Sequence, residues 1–257
     1  MSHKAHTTER TGRISIVVYS IYGKTHRANI AHNIRADNLV YLRKTQNNSF
    51  MQNDVMDKLF YEHKNLEKGY KLIAGVDEVG RGPLAGPVVC CAVIMPLDDV
   101  IEGVDDSKKL SPKKRQLLSE EIIKKAIALN IYEIEAEEID RINILQAVRK
   151  CMTNAVKGLK VQPDITLVDG VDTKLDIKAE YVIKGDSASY SIGCASIVAK
   201  VYRDKMMTDY DEEFKEYCFA SNKGYGSKKH IEKIKEIGPC KLHRKTFIKN
   251  FWVEQEK

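Results

Sequence analysis

Two adjacent acids, Asp77 and Glu78, close an apolar run that begins at Leu72, and Gly80-Arg81-Gly82 follows almost at once. A carboxylate at the end of a buried strand is costly unless something cationic meets it. An arginine in a glycine frame beside it offers charge-assisted bonds and lets the backbone approach a phosphate closely. The pattern repeats downstream. Ile165 to Val168 ends in Asp169-Gly170, and Tyr181 to Lys184 is closed by Gly185-Asp186. Ligands of α/β sheets gather at the carboxyl ends of the strands. If the first and fourth strands lie side by side, Asp77 and Asp169 meet there. Three or four carboxylates within a few ångströms cannot all ionise without a counter-charge. Hard divalent cations such as Mg²⁺ supply it through oxygen ligands. Two such ions about 4 Å apart would activate a water and stabilise the leaving oxygen of a phosphodiester. Taken singly, each acid reads more simply as a turn residue or helix cap. Taken with the Gly-Arg-Gly, the metal reading is the better one.

Other side chains fit the same chemistry less specifically. The glycine loop lacks the GKS/T of a P-loop, which argues against nucleoside triphosphate binding. Tyr225, between Gly224 and Gly226, could stack on a sugar or base and reach a 2′-hydroxyl; on residue type alone a packed turn aromatic is the simpler reading. Lys108, Lys109, Lys184, Lys228, Lys229 and Arg244 could line a phosphate track, although such side chains usually form a solvated basic face. His230 and His243 lack ligand-like spacing and read as surface or packing residues.

The elements that must position these residues follow from spacing. Leu72–Val76 and Val88–Met95 read as strands joined by a sharp turn, because two Gly-rich bends with Pro83 and Pro87 leave no room for a helix. Asn53 to Leu66 reads as a short lead-in helix. Ser111-Pro112 is a helix start, and apolar spacing carries that helix to Leu129. Ile131 to Ala136 alternates as a strand. One helix is expected from Glu138 to Leu159, with Val148, Cys151, Met152 and Ala155 on one face. Ser191 to Phe214 reads as a long helix whose small residues suit close packing on a sheet. Lys228 to Ile237 reads as a helix stopped by Gly238-Pro239. Strands mixed with long helices give an α/β layer fold.

The totals set limits. At 257 residues the chain can bury a full core, and no run reaches the ~20 apolar residues of a membrane span. The first residues show no apolar signal-peptide core. Six cysteines form no CxxC pair and no zinc-like spacing with histidine, so a reduced, cytoplasmic protein is expected. Net charge is +6, but residues 1–68 hold 11 Lys and Arg against 6 Asp and Glu, while the rest holds 31 against 30. Nucleic-acid contact by the body must therefore come from local clustering. Within residues 1–50, Arg13 to Tyr22 could be a strand. A poorly ordered arm is preferred to a small basic nucleic-acid-binding module, because one strand makes no core. The expected division is an arm over 1–50, a lead-in helix within 51–69 and a catalytic body over 70–257, including a C-terminal helical part.

Residues 75–88, GVDEVGRGPLAGPV, resemble the signature of type 2 ribonucleases H, specifically bacterial ribonuclease HII. The resemblance continues through Asp106–Leu110, Val168–Gly170, Lys184–Asp186, Ala195–Lys200, Arg203-Asp204, Gly224–Gly226 and His243-Arg244, and covers about residues 55–257. It implies a ribonuclease H-like fold, a mixed central sheet flanked by helices with a C-terminal helical part. It implies endonucleolytic cleavage of RNA in RNA–DNA hybrids and at ribonucleotides embedded in duplex DNA, leaving 5′-phosphate and 3′-hydroxyl ends. Ribonucleotide excision in DNA repair would follow from that activity. The family's metal-binding acids fall on Asp77, Glu78, Asp169 and Asp186, with Mg²⁺ or Mn²⁺ as the implied cofactor. The loop that grips the backbone at the RNA–DNA junction falls on Gly80, Arg81 and Gly82. The ribose-sensing, stacking tyrosine falls on Tyr225, and Lys108 and Lys184 are further candidates for substrate contact. The partner is a hybrid or ribonucleotide-containing duplex, with no membrane and a monomeric chain expected. The sister type, ribonuclease HIII, carries Gly-Lys-Gly in place of Gly-Arg-Gly and a larger N-terminal domain, so Arg81 argues for HII. A hybrid nuclease of the HIII kind and a non-catalytic binding protein are the alternatives; the second would need a lost carboxylate, and all four are present.

Overall fold

Two apolar runs joined by a tight loop form the centre of the sheet: β1 (Ile73–Val79) and β2 (Val88–Ile94), paired antiparallel. The computed structural model describes residues 58–171 and 174–252. β3 (Ala128–Ile134) pairs antiparallel with β2. On the other side of β1, β4 (Ile165–Asp169) and β5 (Ala179–Val182) continue in parallel, giving the order β3-β2-β1-β4-β5. This is the mixed sheet expected, with β1 in the middle.

Side-chain alternation divides the core into two layers. Ala74 and Val76 of β1 and Val88, Cys90, Ala92 and Ile94 of β2 face α4 (Ile144–Lys157), which buries Val148, Cys151, Met152 and Ala155 against them. Each large apolar side chain fully buried in such a layer contributes roughly 1.5–3 kcal/mol. Val89, Cys91 and Val93 face the opposite way, toward α6 (Tyr190–Glu213). The small residues of α6 let it come very close. A Cβ on Gly75 would lie 2.1 Å from the Ser191 carbonyl carbon. α2 (Pro112–Lys125), capped by the Ser111 side chain with Pro112 in its first turn, covers the same layer through Leu118 and Ile122. α1 (Phe60–Glu67) is the described part of the lead-in helix, and its Glu62 accepts hydrogen bonds from Ser189 and Ser191 at the start of α6.

A second, smaller core lies beyond the far part of α6. Met207, Tyr217, Phe219, Ile234, Leu242 and Ile248 cluster there with Ala85 of the β1–β2 loop. It is built from a 3₁₀ turn (Lys215–Tyr217), α7 (Phe219–Asn222), α8 (Lys228–Ile237) and α9 (Lys245–Ile248).

Several boundaries differ from those read in the sequence, among them the strand expected over Ile131 to Ala136, which is β3 and ends at Ile134. The helix from Ser111 ends at Lys125, and Leu129 belongs to β3, paired with Val93. Ile122, Ala126 and Leu129 do share one core layer, so helical spacing there also satisfied a strand. The long helix expected from Glu138 is two: α3 (Ala136–Ile142), then α4. Asn143 separates them at φ 66°, and its side chain caps α4 by accepting from the Gln146 amide. β5 ends at Val182, and Lys184 takes a left-handed conformation ahead of the short α5 (Gly185–Ala188). The possible strand over 13–22, the arm over 1–50 and the start of the lead-in helix lie outside the described residues.

Candidate active site

β1 and β4 run parallel with Val76 opposite Val168. The next residues, Asp77 and Asp169, therefore sit on neighbouring strands, roughly 4.8 Å apart in the pairing direction. β1 does not stop at Asp77; it runs on to Val79, so both acids of the pair Asp77-Glu78 lie within the strand and point to opposite faces. Asp77 is turned toward α6 and is 6% exposed. Burial raises its pKa well above the usual carboxylate value, and the charges of Glu78 and Asp169 push the same way. Burial also raises Glu78, against the pull of Arg81, whose Nη1 lies 3.5 Å from Glu78 Oε1. Asp169 is raised by burial and then by Asp186, although its Oδ1 accepts the Gly185 N–H at 2.6 Å. Asp186 projects from α5 and is nearly buried. Lys108 Nζ is 3.7 Å from Asp186 Oδ2. Burial works against the Lys108 charge, but Asp186, Asp106, Asp77 and Asp169 outweigh it and hold the ammonium firmly protonated.

Three carboxylates with raised pKa values, Asp77, Glu78 and Asp169, lie with Asp186 beside one lysine and one arginine, a cluster short of positive charge. Among the described residues no three His, Cys, Asp or Glu side chains form a closed metal cage as they stand. The donor set nevertheless fits a hard divalent cation: all-oxygen, multiply anionic and under mutual repulsion that a cation relieves.

The β1–β2 loop borders this pocket. Gly80 has φ +90°, and a Cβ there would strike Arg203 Nε at 2.3 Å and Pro87 O at 2.7 Å. Arg203 and Arg244 are fully buried beneath the loop, and their partners are backbone carbonyls. Arg244 donates to the carbonyls of Gly80, Arg81 and Gly86. Arg203 donates to those of Ala85, Pro87 and Lys223. In a trans peptide the C=O and N–H point opposite ways. Drawing the Gly80 and Arg81 carbonyls inward turns the Arg81 and Gly82 amides outward. Across from them stands Tyr225, 45% exposed, with its ring carbon Cε1 3.9 Å from where a Gly82 Cβ would lie.

The family model described as Ribonuclease HII matches residues 74–254. This chain belongs to the ribonuclease HII family. It is 51% identical over 190 residues to the ribonuclease HII of Caldicellulosiruptor bescii, a match covering 74% of this chain and 92% of the relative. Among solved structures, the ribonuclease H2 of Pyrococcus horikoshii OT3 superposes with a TM-score of 0.59 at 27% identity, over 68% of this chain and 93% of that one. Bst-RNase HIII in complex with Mn²⁺ shares the fold, with a TM-score of 0.50 at 16% identity over 65% of this chain and 63% of that one. The ribonuclease H-like fold and a ribonuclease H hydrolase activity follow from the family.

In this chain, then, Asp77, Glu78, Asp169, Asp186 and Lys108 share one electrostatic cluster, and Gly82 meets Tyr225 beside the loop that carries Arg81. Lys184 precedes Asp186 by two residues and is exposed, without an ion pair to the acids among the described residues. Lys109 pairs with Asp105 at 3.6 Å, and Lys228 with Glu232 at 3.9 Å. The expectation that Arg244 lines a phosphate track is wrong: it has no exposed surface and serves the loop from beneath. Of the surface or packing roles read for His230 and His243, the structure shows packing, since both are buried. Arg203 was not singled out as functional. A buried arginine bonded to carbonyls leaves no local sequence signal, because its partners are backbone atoms of any residue type. No described helix is long and apolar enough to cross a membrane.

Proposed function

We propose that the chain is an endonuclease that cleaves the RNA strand of RNA–DNA hybrids and cuts at single ribonucleotides embedded in duplex DNA, leaving 5′-phosphate and 3′-hydroxyl ends. What supports this reading is that one loop joins the two parts: Arg81 reaches Glu78 of the acid cluster at 3.5 Å, and Gly82 approaches the exposed ring of Tyr225. Asp77, Glu78, Asp169 and Asp186 would hold Mg²⁺ or Mn²⁺. A pair of such ions supplies Lewis-acid stabilisation of developing charge on a phosphodiester and a nucleophile at neutral pH.

The protein's own groups do the rest. The amides of Arg81 and Gly82 and the Arg81 guanidinium bind backbone phosphate. Tyr225 presents a flat face to the sugar and a phenol that reaches a 2′-hydroxyl, which distinguishes RNA from DNA. Lys108, exposed beside Asp186, offsets substrate charge at the rim. Lys184, exposed two residues before Asp186, is a further candidate for substrate contact. Arg81 favours action on single embedded ribonucleotides over the hybrid-only behaviour of the HIII kind.

The test uses two duplexes with Mg²⁺ or Mn²⁺, one holding a single ribonucleotide and one a long RNA–DNA hybrid. Cleavage of both, each cut leaving a 3′-hydroxyl on the upstream fragment and a 5′-phosphate on the downstream one, is the expected result. Cleavage of the long hybrid alone would replace this reading with the HIII kind.

A further inference from the structure

Residues 240–244 do more than close the C-terminal core. His243 and Arg244 are adjacent, yet each reaches a different part of the cleft. Arg244 holds the Gly80 and Arg81 carbonyls, and its own N–H donates to Leu84 O. His243 bridges in backbone to Ala85, and its ring reaches the Tyr225 turn through His230.

The proton order in that path follows from its fixed donors. The Cys240 backbone N–H donates to His243 Nδ1 at 3.0 Å, so Nδ1 carries a lone pair. The Cys240 thiol lies 3.2 Å from the same atom, and the Cys240 carbonyl, at 3.3 Å, is then a near contact without a hydrogen. The His243 proton must sit on Nε2, which donates to His230 Nε2 at 3.0 Å. The His230 proton is thereby placed on Nδ1, which donates to Tyr225 O at 2.8 Å. Ser227 N–H donates to that same carbonyl at 2.8 Å, closing the turn, and the Ser227 side chain caps α8, the helix that carries His230. Tyr217 and Phe219 wall the pair in, with Tyr217 4.7 Å from His243 and Phe219 5.5 Å from His230 between ring centroids. Burial lowers the pKa of both rings, His243 to about 4 with help from His230, so both are neutral and the order is held.

We propose that His243 and His230 are positioning residues that set Tyr225 against the Gly-Arg-Gly loop, and thereby set how sharply the enzyme tells a ribonucleotide from a deoxyribonucleotide. The proposal rests on the sensing role given to Tyr225 above. Arg244 fixes one lip of the cleft and His243 the other. Because they are consecutive residues, the two lips are tied to one short segment of chain. The Tyr225 carbonyl is a backbone atom, so its placement moves the whole residue, ring included.

The discriminating measurement is the ratio of duplex dissociation constants, all-DNA over single-ribonucleotide, for metal-free protein, alongside kcat and KM for cleavage. His243→Leu removes the donor to His230, and the ratio is expected to fall roughly three- to tenfold, the scale of one positioning hydrogen bond. His243→Gln keeps an N–H for His230 and should recover most of it. In a Tyr225→Ala background, His243→Leu should change the ratio no further. A His243→Leu protein that melts lower but discriminates as well as wild type overturns the proposal, as does an equal loss in both backgrounds. If His243→Leu does not fold, His230→Asn, too short to reach the Tyr225 carbonyl, carries the same comparison. Should Tyr225→Ala itself leave the ratio unchanged, the sensing role falls and the positioning role with it. If only Tyr225→Ala has an effect, the positioning role alone falls.

Discussion

The acid cluster at the ends of β1 and β4 and the arginine floor under the β1–β2 loop both bury charge, and they accommodate it in opposite ways. Asp77, Glu78 and Asp169 lie close together with too little positive charge nearby, and burial pushes all three pKa values up. Arg203 and Arg244 are buried as deeply, but each is surrounded by carbonyl oxygens. Burial lowers their pKa values only to about 10 and about 9, so both remain charged at neutral pH. The first region is electrostatically incomplete and suited to a ligand that completes it. The second is complete in itself and suited to holding a loop still. A cleft that must take up metal and nucleic acid, yet measure a sugar, needs one of each.

Breaking the complete region should have the largest effect on stability. Arg244→Met leaves the carbonyls of Gly80, Arg81 and Gly86 without their donor. At 1–3 kcal/mol for each buried unsatisfied group, a loss of about 3 kcal/mol or more is expected in chemical denaturation. Arg244→Lys should recover little, because an ammonium cannot reproduce the guanidinium fork. A lysine variant as stable as wild type would mean the carbonyls are held by something else.

A smaller effect separates the two regions by pH. His243 belongs to the complete side, and its folded pKa, about 4, lies below the usual 6.5. Between those values the unfolded chain binds a proton that the folded chain does not. Stability contributed by the neutral ring is therefore present above pH 6.5 and is lost as pH falls toward 4, by up to about 3 kcal/mol. His243→Gln should flatten that part of the stability curve relative to wild type; parallel curves would show that His243 does not titrate there.

Much of this contrast was legible in the sequence, and its limits are instructive. Asp77-Glu78, Asp169 and Asp186 announce themselves because a charge after an apolar run is unusual wherever it occurs. The pairing of the first and fourth strands, which the sequence offered only as a condition, is present in the sheet, and the helices beginning at Ser111 and at Lys228 were marked by their caps and stops. What did not show was anything depending on backbone partners far away in sequence. Arg244 looks like one more basic residue in a basic tail, and only the fold brings it under Gly80, 164 positions away. Asn143 falls inside the single helix that apolar spacing suggests, and its positive φ between α3 and α4 has no signal in that spacing. Leu129 fitted a helix because its core layer is shared by a helix and a strand.

The smallest effect belongs to the rim of the incomplete region. Lys108 is exposed and only 3.7 Å from Asp186. Lys108→Ala is expected to weaken duplex binding roughly two- to fivefold and to flatten its log–log salt dependence by about one. An unchanged salt slope would remove Lys108 from the substrate path.

The central claim is that the carboxylates at the β1 and β4 ends are the catalytic centre and are not required by the fold. Asp77→Asn tests it most directly, measured as the rate of Mn²⁺-supported cleavage of a single-ribonucleotide duplex with a melting curve on the same sample. The predicted result is a rate lower by more than about 10²-fold, in a protein that melts no lower than metal-free wild type because a repelled charge has been removed. A wild-type rate in Asp77→Asn would contradict the account.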